Sequence, residues 1–182
     1  INSLDDVTAL ADLGMTIYAT SFARTIEDIY GDIMAVGTLT GEEVAATHVV
    51  EEMKARVAVV TDVTTALDHR PVVFYEIDAT DPAKPWTSGP GSFIDLLISM
   101  AGGENAGAAS DDSYWQISLE ELVNKDPQVV VLGSSTFGGQ TPELVAERPG
   151  WQSISAVRTG AVHEFDDNLV SRPGPRIVDG LE

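Results

Sequence analysis

Between Gly41 and Pro71 the chain carries neither glycine nor proline, and over residues 42–67 its apolar side chains recur at helical spacing. That stretch is about 26 residues, or roughly 39 Å of helix at 1.5 Å per residue. A helix this long reaches across a small domain, so the remaining elements must be arranged along it. As a member of a helical bundle it would need partners of its own length, and no second helix of that length follows.

After Pro71 the period changes. "PVVFYEI" reads as a buried strand, and "SFIDLLISMAGG" as a helix ended by glycines. "SLEELVNKDPQVVVLG" gives a short helix, a turn at Asp126–Pro127 and a second buried strand. "TPELVAERPGW" is helical up to Pro149, "GAVHEF" supplies a third strand, and Ile177, Val178 and Leu181 mark a short closing helix with Ser171 or Gly174 near its cap. Alternating strands and helices predict an α/β fold: a three-layer lobe with a mainly parallel sheet, preceded by the long helix.

Upstream, the spacing predicts a helix from about Thr25 to Val36, stopped by Gly37 and Gly41. Before it, Ser3 is positioned to cap a helix carrying Val7, Leu10, Ala11 and Leu13, with Asp6 completing an acidic capping box and Gly14 closing it ahead of a short strand, "MTIYA". The chain thus divides into residues 1–20, a helical segment 21–70 and an α/β lobe 71–182. Its first element reads as the late part of a domain, as expected of a fragment.

Charge limits the partners. With 29 acidic against 10 basic residues and a formal net charge of -19, the chain lacks the basic footprint that a phosphate backbone or an anionic membrane surface demands. No apolar run approaches the ~20 residues of a membrane span, and no signal peptide is visible at the start, which leaves export open. The absence of cysteine removes disulfides, thiolate metal sites and cysteine nucleophiles from consideration.

Catalytic patterns are equally sparse. His48, His69 and His163 are scattered, without an i,i+4 pair or a carboxylate at ligand spacing, and there is no Gly-x-Ser-x-Gly elbow. "AGGENAG" follows a helix and lacks the strand, turn and helix that cradle a pyrophosphate. Paired carboxylates such as Glu120 with Glu121, or Asp166 with Asp167, read as solvated faces in so acidic a chain.

Two other features point to a binding surface. Trp86, Trp115 and Trp151 all fall in loops or at element ends, a placement that suits the wall of a ligand site, although Trp151 reads better as a core anchor. Near the end, "VSRPGPRIVDGLE" sets Arg172 and Arg176 among two prolines and a glycine. Proline restricts the preceding residue and fixes its own φ, so the loop is stiff before anything binds. Its arginines either pair with Asp166, Asp167 or Asp179 or face an incoming group.

"WTSGPGSFIDLLISMAGGEN", "ISLEELVNKDPQVVVLG" and "RPGWQSISAVRTGAVHEFDDNLVSRPGPRIVDGLE" together resemble the carboxyl-terminal lobe of the class III substrate-binding proteins of ABC importers, the group that captures vitamin B12, ferric siderophores and haem. The resemblance runs from about Val72 to Glu182 and extends more weakly upstream. It implies two α/β lobes joined by a single long helix, here residues 42–67, with residues 1–20 ending the amino-terminal lobe. It implies that Trp86 faces the ligand, that Tyr114 or Trp115 is a second such ring, and that Asn168 and Arg172 belong to a ligand-contacting loop, with Arg176 pairing inside the lobe. Glu120, two residues after the capping Ser118, matches a glutamate that docks on permease arginines. The implied protein is extracytoplasmic, either periplasmic or a lipoprotein anchored on the outer face of the membrane. It is a binder without catalysis or a resident cofactor, and a corrinoid or ferric siderophore leads haem as its ligand. A cofactor-dependent oxidoreductase half-domain and a sensor ectodomain of the same fold are the rivals.

Overall fold

The computed structural model describes residues 4–20 and 23–182. Helix α1 spans Leu4–Asp12, and Gly14, at φ 81°, turns the chain after it. Ser3, the expected cap, lies outside the described residues. "MTIYA" is not a strand: Met15 and Tyr18 are exposed and residues 15–19 join no ladder. An apolar run without a neighbouring edge has no ladder in which to place its N–H and C=O groups.

Helix α2 covers Ile26–Thr40. Thr25 caps it by accepting from the Asp28 N–H at 3.1 Å, while the Asp28 carboxylate accepts from the Arg24 and Thr25 N–H groups at 2.8 and 2.9 Å. Those backbone donors, Arg24 first and Thr25 next, hold the Asp28 pKa below the usual carboxylate range. The helix runs through Gly37, where the sequence suggested a stop, and ends at Gly41, at φ 76°. Gly37 is needed for contact: a Cβ there would lie 2.4 Å from the Ala46 Cβ, so its absence lets the next helix approach. That helix, α3, is unbroken over Glu43–Thr65, 23 residues, as its uninterrupted periodicity predicts.

The lobe follows in the order β1 (Val72–Asp78), β2 (Trp86–Ser88), α4 (Phe93–Met100), β3 (Glu104–Asn105), β4 (Tyr114–Gln116), α5 (Leu119–Lys125), β5 (Val129–Leu132), α6 (Ser134–Gly138), α7 (Pro142–Ala146), α8 (Ser155–Thr159), β6 (Val162–Glu164) and α9 (Ile177–Leu181). One sheet has the order β4-β2-β1-β5-β6, with β3 beside the start of β1. The pairings of β1 with β3, β1 with β5 and β5 with β6 are parallel, whereas β2 and β4 form an antiparallel ribbon on one edge that the sequence did not announce. α7 is shorter than the reading up to Pro149, and α9 starts after Arg176, with the Gly174 carbonyl accepting from the Ile177 N–H at 3.0 Å and no side-chain cap.

Strand alternation distributes the core over both faces of the sheet. Val73, Tyr75, Ile77 and Val131 pack with Ile29, Val50 and Met53 of α2 and α3, Leu97 of α4 and Ile177 of α9. Phe74, Val130 and Leu132 pack on the other face with Leu122 of α5, Val145 of α7, Ala156 of α8 and Trp151. Each fully buried large apolar side chain contributes about 1.5–3 kcal/mol relative to exposure. The helical segment and the lobe therefore share a core, reinforced by Arg56 of α3, which reaches Asp179 at 2.7 Å and Glu182 at 2.6 Å. Among the described residues no helix is long and apolar enough to cross a membrane, and no cluster of three or more His, Cys, Asp or Glu is arranged to hold a metal ion.

Candidate functional site

Because β1, β5 and β6 are parallel, their carboxyl ends open at one end of the sheet, where loops 79–85, 133–141 and 165–176 converge. In open α/β sheets that end receives ligands. A hollow of about 320 Å³ lies there, floored by Ile77, Phe93, Ile94 and Val170 and walled by Tyr114, Asp167, Ser171, Pro173 and Ala23. A wider hollow of about 610 Å³ shares Ala23 and Pro173 with it and continues along Ile29, Asp32 and Val36 of α2. Pro173 lines both, and Gly174 and Pro175 line the wider one.

The polar wall is organised around Asp167. The buried Tyr75 hydroxyl donates to its Oδ1 at 2.8 Å, and burial together with the Asp167 charge pushes the Tyr75 pKa far up. Burial, then the same charge, also raises the Tyr114 pKa. Both rings stay protonated at neutral pH. Asp166 accepts from the Asn168 side chain at 2.8 Å and its backbone N–H at 3.0 Å, and these bonds, helped by the Arg176 and Arg172 charges, hold the Asp166 pKa below the usual range.

The structure divides the residues picked out in the sequence. In the β2–β4 ribbon Trp86 stands opposite Gln116, and Ser88 opposite Tyr114, so Trp86 and Tyr114 share one face as diagonal neighbours, roughly 7–8 Å apart between backbones. Both are exposed, at 41% and 44%. Trp115 turns to the opposite face and donates its Nε1–H to the Gly107 carbonyl at 3.0 Å. Tyr114 is thus the ring of that pair that lines the hollow; Trp86 stands beside it on the ribbon without lining it. Asn168 is half-buried with its amide N–H engaged by Asp166, whereas Arg172 is exposed between Ser171 and Pro173, with no hydrogen bond or ion pair among the described residues. Arg176 makes no ion pair there either, contrary to expectation; Asp179 pairs with Arg56. Glu120 is exposed on the first turn of α5, above the Ser118 cap that accepts from Glu121 N–H at 3.1 Å.

A second polar group went unnoticed in the sequence. Glu76, fully buried, accepts from Arg148 Nη1 at 2.5 Å and Nη2 at 2.9 Å and from Ser134 Oγ at 2.6 Å. Arg148 also donates to Gln140 Oε1 at 2.8 Å and lies over the Trp151 ring at 4.4 Å. Trp151 is itself fully buried, Nε1–H to the Pro82 carbonyl, as its reading as a core anchor requires. The signal was the glutamate inside "FYEID": a charge within a buried strand needs a buried partner.

A three-layer lobe with an aromatic and polar hollow at the carboxyl ends of its parallel strands is the architecture of a ligand-binding lobe. The chain belongs to the periplasmic binding protein family, whose pattern matches residues 5–169. It is 34% identical over 180 residues to a cobalamin-binding protein of Halobacterium salinarum, covering 96% of this chain and 47% of that protein. To the uncharacterized ABC transporter substrate-binding lipoprotein YvrC of Bacillus subtilis it is 30% identical over 183 residues, covering 99% and 56%. A possible iron-binding, periplasmic solute-binding protein from Staphylococcus epidermidis shares the fold, with a TM-score of 0.82 at 24% identity over 96% of this chain and 67% of that one. The chain spans about half the length of the curated relatives it matches.

Proposed function

We propose that this chain is the carboxyl-terminal lobe and interdomain helix of an extracytoplasmic solute-binding protein, which captures a corrinoid or a ferric siderophore between two lobes and delivers it to an ABC permease. On this reading residues 1–20 end the first lobe, α3 joins the two, and residues 71–182 form the second. Trp86, Tyr114, Asn168 and Arg172 contact the ligand, and Glu120 engages permease arginines. The observation that carries the reading is the hollow at the carboxyl ends of β1, β5 and β6, bounded by Tyr114 and the stiff loop that presents Arg172.

Among the ligands a corrinoid leads. Its peripheral amides can donate to Asp167 and accept from Arg172. Haem propionates and catecholate siderophores are anions that would face the half-buried Asp167 in the wall of the hollow, where like charges repel. The cobalamin-binding relative from Halobacterium salinarum supports the same choice. The test uses the full-length gene product: cyanocobalamin, a ferric hydroxamate and haemin are offered in turn, and retention is read by absorbance after desalting. Stoichiometric retention of cyanocobalamin is expected. Retention of none of the three overturns the reading.

A further inference from the structure

Tyr75 is 3% exposed on β1, two residues before Ile77 of the hollow's floor and on the same face of the strand. It does not line the hollow itself. Its ring packs edge-on against Phe165 at 6.1 Å between centroids, and Gly133 comes so close that a Cβ there would lie 2.4 Å from the hydroxyl oxygen. The ring is therefore held in place, and its hydroxyl donates to Asp167 Oδ1 at 2.8 Å. The Asp167 backbone is held as well: its N–H donates to Thr136 Oγ1 at 3.0 Å, and its carbonyl accepts from the Val170 and Ser171 N–H groups at 3.1 and 2.9 Å.

Asp166 and Asp167 are adjacent, yet only Asp167 walls the hollow. Asp166 is exposed, bonded to Asn168 and under the influence of the Arg176 and Arg172 charges. Asp167 is half-buried, its Oδ1 is engaged by Tyr75, and among the described residues its Oδ2 has no hydrogen bond and its carboxylate no ion pair. A partly desolvated carboxylate with acceptor sites to spare favours an incoming N–H and opposes a second anion. Holding that acceptor rigid sharpens the choice, because a mismatched group cannot be relieved by rotating the carboxylate away.

We propose that Tyr75 is a positioning residue for ligand selection: its hydroxyl fixes the Asp167 carboxylate in the wall of the hollow, where it accepts from a peripheral amide of the ligand and discriminates against a carboxylate at the same place. The proposal rests on the reading of the hollow as a corrinoid site, and the two can fail separately.

The test uses the full-length protein and two probes built on one macrocycle: dicyanocobinamide, which carries peripheral amides, and dicyanocobyrinic acid, which carries carboxylates in their place. Calorimetry at neutral pH gives the ratio of their dissociation constants, acid over amide, in wild type, Tyr75→Phe, Asp167→Ala and the joint variant. Wild type is expected to prefer the amide form by well over about tenfold. Asp167→Ala should lower the ratio at least about tenfold, and Tyr75→Phe, which keeps the ring, about fivefold. In the joint variant the ratio should match that of Asp167→Ala alone within about twofold, because the hydroxyl then has no carboxylate to position. A wild-type ratio near one, a Tyr75→Phe ratio within about twofold of wild type whatever its melting temperature, or a further fall when Tyr75→Phe is added to Asp167→Ala overturns the proposal. If Asp167→Ala also leaves the ratio unchanged while wild type binds dicyanocobinamide, the selector is wrong although the corrinoid site stands. Wild-type protein that binds neither corrinoid removes both.

Discussion

Arg148 and Arg172 belong to elements that meet the same end of the sheet, yet their surroundings are opposites. Arg148 is 6% exposed, bidentate to Glu76, bonded to Gln140 and stacked on Trp151. Arg172 is exposed on a Pro-Gly-Pro loop, near enough to Asp166 to influence it but bonded to nothing among the described residues. The difference follows from desolvation. A guanidinium withdrawn from water must have every donor matched, and it becomes scaffold. One left in water keeps its donors available for a partner that arrives later. In a chain with only 10 basic residues against 29 acidic ones, this separation of a structural arginine from an available one defines the lobe's two polar regions.

Breaking the scaffold should have the largest effect. Arg148→Met leaves Glu76 buried without its partner and is expected to cost about 3–5 kcal/mol in urea denaturation, whereas the joint change Glu76→Leu, Arg148→Met should recover most of that loss. A single-variant loss below about 1 kcal/mol would show that the pair is solvated, and the contrast with Arg172 would disappear.

The available arginine should behave the other way. In the full-length protein, Arg172→Ala and Trp86→Ala are each expected to weaken cyanocobalamin binding by about 1–3 kcal/mol in calorimetry while leaving the melting temperature unchanged. Unchanged affinity in both variants would remove them from the site.

A carboxylate held by neutral donors gives an intermediate case. Asp126 accepts from Ser155 Oγ at 2.8 Å and Ser155 N–H at 2.7 Å, and these bonds, the hydroxyl's first, lower its pKa. Its folded pKa lies below its unfolded value, so its stabilisation is complete above the unfolded value, about 3.9, and is lost as pH falls through the folded one. Asp126→Asn keeps a residue that tolerates φ 42°. The variant should melt below wild type at pH 7, with the gap closing as pH falls toward 2. A gap independent of pH would assign the effect to geometry rather than charge.

The smallest effect on stability is expected from Glu120→Ala, within about 0.5 kcal/mol, because the side chain is exposed. Uptake by vesicles carrying the cognate permease should nevertheless fall if Glu120 docks on arginines there. Wild-type uptake would remove that role.

Much of this molecule follows from local chemistry. The extent of α3 follows from a run without breakers, and β1 and β5 from compact apolar runs; Ser92 and Ser118 start their helices because their hydroxyls reach the N–H three residues on. The α/β alternation follows from the same local reading. These features depend on neighbours within a turn or a strand, which the linear chain already places together.

Tertiary structure decided what depends on distant partners. β2 and β4 are three residues each, too short to display a period, and only their pairing sets which ring of Tyr114–Trp115 faces the hollow. "MTIYA" has strand composition without an edge to join, and Gly37 continues a helix because Ala46 of another helix needs its space. Glu76 and Arg148 are 72 residues apart, and neither side chain reveals its partner until the fold removes both from water. Local sequence specifies backbone conformation through short-range sterics and hydrogen bonding. Which side chains become scaffold and which remain available is settled only by burial, a property of the assembled core.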